Sequence, residues 1–485
     1  MVIASPRPCR ALAIGAMAIA LCSSPTFADT LPEAMAAALR HYPPILAEGA
    51  RKEAARIGID VARSGYHPRV TASGDIGAAS GNRGLAAGGG GSTLGDPGSP
   101  FGTDWTSRWG YALQAEQPLY DGFRTRSAVA EAQAGAEGAG AQVRLTEQVV
   151  LLETVAVYAD LLRDRDVEAL RTRDVAALAE HVKSAVARAE RGEASVTDVA
   201  QARARHAQAI ADLITTRASA EVRAAEYVRV IGRAPGKLSR PNPPGAMLPR
   251  SRDASVASAI AKHPMAATVV FKEEASRHAV ERQRADGLPQ VKLRGGIEGD
   301  RALSGASPGR DSASIALRVT VPLYDGGESD ARVRQAQQVN RGLAEDARGV
   351  RDRLQAGAVT AWTGLAAARE RIAVERNALA EVRRALEGVR EEIRLGQRSI
   401  IDGLDAQREV VTGEVRVATG ARELLVAHYA LLSAAGVLSY DAIVAETAPQ
   451  PAGATKGWGG TTVEKAEPKR GGCHSEPCAP RRARQ

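Results

Sequence analysis

The sequence predicts a mainly α-helical protein with a small β part, built as two copies of one plan. Three observations predict this class. The apolar fraction is 44% and consists mostly of Ala, Val and Leu mixed with Arg and Glu, the composition of long helices. Only 4% of the residues are aromatic, which argues against a large single-chain membrane barrel with aromatic girdles. The third observation is an internal repeat, which indicates a duplicated fold.

A constant offset in residue number defines the repeat. The segment QPLYDG at 117–122 recurs as VPLYDG at 321–326, and Gly192 to Asp198 matches Gly396 to Asp402 with the same offset. Further upstream the offset is larger, because Pro68 corresponds to Pro289. We assign the extra residues of the first copy to a glycine-rich loop at 84–102, since loop-closure entropy grows slowly with length.

The repeat predicts four segments. Residues 1–28 are expected to be a secretory signal, with Arg7 and Arg10 before an apolar stretch and a small-residue cleavage site at 26–28. The first structural repeat is expected at 29–245 and the second at 246–448. A disordered basic tail is expected at 449–485, where Cys473 and Cys478 either pair in an oxidising compartment or stay incidental. We expect no transmembrane helix after the signal.

Each copy is predicted to begin with one long helix, at 31–66 and 252–287, followed by two strands and a still longer helix. A heptad stripe of apolar residues runs along the second of these longer helices through Ile372, Leu379, Leu386 and Ile393. The corresponding helix of the first copy carries two apolar stripes side by side. A helix with two apolar faces needs neighbouring helices on both sides. This favours a closed ring of helices over a two-stranded coiled coil.

The four predicted strands alternate apolar and polar residues over about ten positions, the length of a membrane strand. Two soluble hairpins covering a core would explain the alternation equally well. A cluster of six aromatic residues lies beside the first hairpin, which favours a membrane boundary; they are Phe101, Trp105, Trp109, Tyr111, Tyr120 and Phe123.

Four strands leave two open sheet edges, which lipid cannot satisfy. Three chains would supply twelve strands and close a barrel. Prolines are predicted to end the strands at all four strand–helix junctions, since proline cannot donate to the hydrogen-bond ladder. They are Pro68, Pro118, Pro289 and Pro322.

Together, the duplicated plan, the Pro-Leu-Tyr-Asp-Gly junctions and the Gly192 and Gly396 motifs resemble the TolC family of outer-membrane channel-tunnels, over residues 30–445. The resemblance implies a homotrimer whose twelve-stranded β-barrel lies in outer-membrane lipid and continues as a long α-helical barrel into the periplasm. It implies a periplasmic membrane-fusion adaptor, an inner-membrane ABC transporter or other pump, and an exported protein or small molecule. The Ala- and Arg-rich sequence is also similar to an export channel for an adenylate cyclase toxin.

The resemblance also implies site residues at the periplasmic tip. Asp402 and Asp405 match acidic rings that constrict the pore of the family. Residues at i and i+3 share one helix face, so three chains would aim six carboxylates at one axis and bind cations. The alternative is that one or both aspartates are solvated surface residues. Arg398 matches an arginine that helps to keep the tip closed by contacting an acidic residue on the companion hairpin, here Asp198. Ile393 departs from the pattern, since the best-known member has tyrosine there.

No catalytic arrangement is present in the sequence. The eight histidines are scattered, with no His-Glu-x-x-His, Walker loop or nucleophile elbow. We therefore expect no enzyme activity, no metal site and no cofactor. The net charge of +8 lies mostly in the expected signal and in the tail, so nucleic acid is not an expected partner.

The predicted function is an outer-membrane channel-tunnel that gives a type I secretion or efflux system its exit path. Two alternatives stay open at this point. One is a multidrug efflux duct rather than a protein exporter. The other is a non-conducting periplasmic coiled-coil envelope or adaptor protein, which would need neither the four alternating strands nor an acidic tip.

Overall fold

In its described residues, the first copy of the repeat contains four α-helices and a β-hairpin. The computed structural model of the protein describes residues 29–80, 105–302 and 310–447. The expected signal, the glycine-rich loop, Phe101 and the tail with Cys473 and Cys478 lie outside the described residues. The elements of the first copy are α1 (Leu31–His41), α2 (Pro43–Arg63), β1 (Arg69–Ser80), β2 (Trp105–Tyr120), α3 (Arg124–Glu190) and α4 (Val196–Ile231).

The second copy follows the same order. Its elements are α5 (Arg252–Lys262), α6 (Pro264–Arg284), β3 (Gln290–Ala302), β4 (Arg310–Thr320), α7 (Glu328–Arg394) and α8 (Ile400–Ala434), with a short α9 (Tyr440–Thr447) at the end. Each helix of the second copy starts at a constant offset in residue number from its counterpart in the first copy. The helices before the sheet show the larger of the two offsets found in the sequence motifs, and the helices after the sheet show the smaller one. The mainly helical class with a four-stranded sheet is confirmed.

The prediction of one continuous helix at the start of each copy is wrong in detail. The structure has two helices there, α1 and α2 or α5 and α6, with a break at an X-Pro step. Tyr42 precedes Pro43 with ψ of 119°, and His263 precedes Pro264 with ψ of 128°. The proline ring disfavours helical backbone in the preceding residue and so interrupts the helix.

The helices α3 and α7 dominate the molecule. Each has 67 residues, which corresponds to about 100 Å at 1.5 Å per residue. Ile372, Leu379 and Leu386 of the predicted heptad stripe are buried, and Leu379 and Leu386 pack with Val410 of α8. The helices α3 and α4 form one antiparallel hairpin, and α7 and α8 form the other.

The four strands form one antiparallel sheet in the order β1-β2-β3-β4. The central pairing, β2 with β3, joins the two copies of the repeat. β1 and β4 are the sheet edges, and neither edge has a partner strand within the described residues. One chain therefore presents two rows of unpaired backbone groups.

The two faces of this sheet differ in chemistry. The register places Val70, Leu113, Ile297 and Leu317 on one face. Ile76 and Ile315 lie on the same face, and their side chains are 76% and 79% exposed. The opposite face is polar, and Glu116 there accepts hydrogen bonds from Lys292 (2.8 Å) and Arg294 (2.7 Å). One apolar face and one polar face are typical of the strands of a membrane barrel, whose outer face meets lipid and whose inner face is polar.

Three of the four junction prolines lie outside the strands. Pro68 and Pro289 directly precede β1 and β3, and Pro322 follows the end of β4 at the second position after Thr320. Pro118 differs from the prediction because it lies inside β2, where the pairing with β3 shifts register between Pro118 and Tyr120. A bulge at this point accommodates a residue that has no N–H group for the ladder.

The main apolar core lies where α1, α3, α4 and α8 meet. It includes Leu31, Tyr158, Tyr227 and Leu432, each at most 1% exposed. The Tyr158 hydroxyl lies 2.7 Å from the carbonyl oxygen of Asp29 and 2.6 Å from that of Ser239. The residues before α1 and after α4 are thereby fixed to the middle of α3.

Among the described residues, one helical stretch, Arg252–Gly287, is long enough to cross a membrane and contains an 18-residue segment with a mean hydropathy of 1.2. This stretch contains the break at Pro264; its second helix, α6, packs along both α3 and α7, and α5 packs on α7. Packing on both neighbours makes it part of the helical bundle.

Candidate functional site

The candidate site is the end of the two long hairpins, where α3 turns into α4 and α7 turns into α8. Each turn contains a glycine with positive φ, 77° at Gly192 and 75° at Gly396. Neither glycine has an atom within 4 Å of the position of an added Cβ, so the backbone angle rather than space is the reason for glycine. The two tips share one geometry, as the repeat predicts.

A capping box begins the second helix of each hairpin. At the first tip the Ser195 N–H donates to Asp198 (3.0 Å), and the Asp198 N–H donates to Ser195 Oγ (3.1 Å). At the second tip Ser399 N–H and Oγ donate to Asp402 (3.1 and 3.0 Å). Such boxes satisfy N–H groups that a helix leaves open at its start. The carboxylates of Asp198 and Asp402 therefore have a structural role at the tips.

The candidate pore residues Asp402 and Asp405 are both exposed at the second tip. They differ in their partners. Within the described part of the chain, Asp402 accepts only the hydrogen bonds of its capping box, from groups without charge. Asp405 forms an ion pair with Arg205 of α4, with Nη2 and Oδ1 at 2.7 Å.

Sequence analysis did not identify Arg205. Both α4 and α8 begin at the tips, and Arg205 lies ten positions after Ser195 while Asp405 lies six after Ser399. The difference of four positions is about one turn, and a long helical side chain points back toward its own N-terminus. A comparison of how far each residue lies from the capping serine of its own helix could have identified this pair from the sequence.

The expected contact between Arg398 and Asp198 is absent within one described chain. Nε of Arg398 instead lies 2.7 Å from Oε2 of Glu392, at the end of α7 of the same hairpin. Asp198 is engaged in its capping box. An exposed pair such as Arg398–Glu392 contributes only about 0–1 kcal/mol to stability, so this pair is easily exchanged for another partner.

Apolar contacts join the hairpins just above the tips. Leu404 of α8 is buried in a cluster with Leu178 and Ala185 of α3 and Ala202 of α4. Ile393, which departs from the family pattern, has its Cδ1 2.7 Å from the position of a Cβ added at Gly403. The tyrosine position of the family is thus filled here by an aliphatic contact within the second hairpin.

A buried carboxylate lies between the hairpins, further from the tips. Asp174 of α3 is 7% exposed, and its Oδ1 has no hydrogen-bond partner in the described part of the chain. Gln407 of α8 accepts a hydrogen bond from Arg390 (2.9 Å), which leaves its amide N–H₂ free to donate to Asp174. Burial raises the pKa of Asp174 above its ordinary value, and it outweighs the lowering by Arg171 and Gln407.

The comparisons with known proteins decide the family. The sequence profile of the outer membrane efflux protein family matches residues 34–233 and 256–437, that is, both copies of the repeat. The outer membrane efflux protein BepC of Brucella suis is 30% identical over 439 residues, which cover 90% of this chain and 92% of BepC. The chain belongs to the outer membrane efflux protein family. The resemblance to TolC-type channels is thereby confirmed.

Two further matches extend this result. The alkaline protease secretion protein AprF of Pseudomonas aeruginosa is 28% identical over 235 residues, 46% of the channel and 48% of AprF. The crystal structure of the Campylobacter jejuni CmeC outer membrane channel has a TM-score of 0.70 at 14% identity and covers 86% of the channel and 88% of CmeC. This likeness supports the fold.

Family membership establishes the general function. The protein is an outer-membrane channel-tunnel that extends into the periplasm and provides an exit path for efflux or type I secretion. The family consists of transport channels rather than enzymes, and its members are trimers that work with inner-membrane pumps and adaptors. The alternative of a non-conducting spacer is therefore wrong.

The Asp174 carboxylate should lower the stability of the channel at neutral pH. Its folded-state pKa is raised, so the folded chain binds a proton more tightly than the unfolded chain, and stability falls as pH rises through the folded pKa. We expect Asp174→Asn to stabilise the protein at pH 7.5 by about 1 kcal/mol, since the amide accepts from Gln407 and carries no buried charge.

The measurement is the guanidinium midpoint of helix unfolding, followed by circular dichroism at pH 7.5 and at pH 3. The gain should shrink at pH 3, below the ordinary aspartate pKa of 3.8. Asp346→Asn on the exposed face of α7 is the control and should change neither midpoint by a comparable amount. Equal behaviour of the two variants would contradict the assignment.

Proposed function

We propose that three copies of this chain close a twelve-stranded barrel, with β1 of each chain pairing with β4 of the next. The unpaired edges of the four-stranded sheet are the observation that carries this proposal. Backbone groups in lipid need internal partners, and four strands are too few to close a barrel. We also retain the division of the chain into repeats at 29–245 and 246–448, ahead of a tail at 449–485.

The apolar face of the sheet would then meet outer-membrane lipid. Its exposed side chains include Val70, Ile76, Ile315, Leu317 and Val319. The polar face, with Glu116 between Lys292 and Arg294, would line the hydrated lumen. This orientation is supported by the cost of the reverse arrangement, which would place three charged groups per chain in hydrocarbon.

The hairpin tips would form the periplasmic entrance, with Asp402 and Asp405 of three chains as its narrowest acidic rings. Their exposure and their i, i+3 spacing on one helix support this role. In this assembly Arg398 would reach Asp198 of a neighbouring chain, giving up Glu392, and would hold the entrance closed.

The partners would be an inner-membrane pump, such as an ABC transporter, and a periplasmic membrane-fusion adaptor. BepC is named an efflux protein and AprF an alkaline protease secretion protein, so related channels belong to both transport classes. We propose that the pump selects the cargo, either a protein or a small molecule, and that the channel supplies a common duct.

A charge on the lipid face should prevent assembly, whereas the same charge on the lumen face should not. We expect Ile315→Arg to cost about 2–4 kcal/mol per chain near the bilayer midplane and to abolish the trimer, measured by size-exclusion chromatography in detergent. Ser314→Arg, the neighbouring residue on the polar face, is the matched control and should still yield trimer. Trimer recovered equally from both variants would contradict the orientation of the sheet.

Removing the acidic rings should weaken cation block of the pore. Asp402→Ala combined with Asp405→Ala removes six carboxylates per trimer, so we expect multivalent cations to block conductance at least about tenfold less tightly. The measurement is conductance in planar bilayers as a function of added cation. Unchanged block in correctly assembled trimer would show that these aspartates do not line the pore.

Loosening the tip should raise conductance. Arg398→Ser removes the proposed closing contact with Asp198 of a neighbouring chain, and we expect a larger single-channel conductance in planar bilayers. Glu392→Gln is the control, because it removes only the partner within the same chain. If Glu392→Gln opens the channel as much as Arg398→Ser does, the closing contact lies within one hairpin instead.

A further inference from the structure

We propose that Arg205 cancels the charge of the Asp405 ring, so that cation binding at the tip depends on Asp402. This inference rests on the proposed role of Asp402 and Asp405 as pore rings. It assigns a selectivity role to a residue of the first hairpin, which none of the tip motifs includes.

The geometry distinguishes the two aspartates. A guanidinium nitrogen of Arg205 lies 2.7 Å from the Asp405 carboxylate, and the pair connects α4 to α8 across the two hairpins. Asp402 has no cationic partner within the described residues and accepts hydrogen bonds only from Ser399. Of two carboxylates on one helix face, one is therefore neutralised locally and the other keeps its full charge.

Threefold assembly multiplies this difference. The Asp402 ring would carry three negative charges, while the Asp405 ring and its three Arg205 side chains would sum to zero. The rings are about 4.5 Å apart along α8, at 1.5 Å per residue. An ion on the axis lies within a Debye length of both rings, so the three guanidinium charges act on it directly.

The Arg205–Asp405 ion pair contributes little to the stability of the fold. The Arg205 and Asp405 side chains are 37% and 54% exposed, and exposed ion pairs contribute little to folding stability. The charge of Arg205 nevertheless contributes to the electrostatic potential in the pore. Its removal should therefore change ion binding much more than assembly.

The experiment compares block by hexaamminecobalt(III) in planar bilayers for Arg205→Gln, alone and combined with Asp405→Ala. We expect Arg205→Gln alone to strengthen block about fivefold or more, because it exposes three further carboxylates to the ion. Asp405→Ala alone should weaken block, because it leaves three unpaired Arg205 charges near the ion, and adding Arg205→Gln should return block to about the wild-type level, since the charge at that height then sums to zero again. Adding Asp402→Ala to this Arg205→Gln and Asp405→Ala pair should then remove most of the remaining block.

Arg203→Gln is the matched control. It removes the same charge from α4, but residue 203 lies two positions before Arg205 and so on another side of the helix. Block should stay within about twofold of wild type. Arg205→Lys keeps the charge and should show wild-type block, and size-exclusion chromatography in detergent checks the assembly of every variant.

The possible failures are distinguishable. If the combined Asp402→Ala and Asp405→Ala variant keeps wild-type block, the pore-ring proposal itself fails. If that variant loses block but Arg205→Gln leaves block unchanged, or fails to restore block in the Asp405→Ala background, the pore rings stand and the role of Arg205 is overturned.

Discussion

The hydrogen bonding of the sheet edges is the constraint on which the rest of this molecule depends. Within the described chain, β1 and β4 leave their outer backbone groups unpaired, on a sheet that exposes Ile76 and Ile315 on one face. Water could satisfy those groups but lipid cannot. A protein of this family can therefore place its sheet in the outer membrane only by joining copies of itself.

The duplicated plan extends this requirement from the sheet to the helices. Because β2 pairs with β3, the two repeats lie side by side, and each continues into a 67-residue helix that turns back as a hairpin. The buried stripes on α3 and α7 pack within each hairpin and between them. A chain joined to its neighbours at the barrel would thus carry its hairpins into a matching ring of helices.

At the tips, hydrogen bonds and ion pairs fix the positions of the charged residues. Asp198 and Asp402 cap the helices that begin there, and the carboxylate of each accepts a hydrogen bond from the backbone N–H of the preceding capping serine. Asp405 has no such role and is paired with Arg205 instead. Arg398 has an exposed partner, Glu392, which it can exchange at a low free-energy cost. A closed entrance held by such exposed pairs can be opened by a modest interaction with a partner protein.

Sequence alone determined the features that depend on periodicity and backbone chemistry. The constant offset between the two copies located both long helices and both tip turns, because the same glycines and capping residues recur in each copy. Alternation along the strands predicted one apolar and one polar face. The helix breaks at Pro43 and Pro264 could also have been predicted from the sequence, since proline restricts the backbone of the residue before it. The prediction nevertheless treated each helix pair as one continuous helix.

Only the tertiary structure decided which side chains meet across elements. Pro118 could be placed inside β2 only once the register with β3 was known. The pairing of Arg205 with Asp405 joins two distant parts of the chain, and the burial of Asp174 depends on how α8 lies against α3. Such contacts depend on the height and rotation of one helix relative to another. A single sequence gives the period of each helix but not its offset from its neighbours.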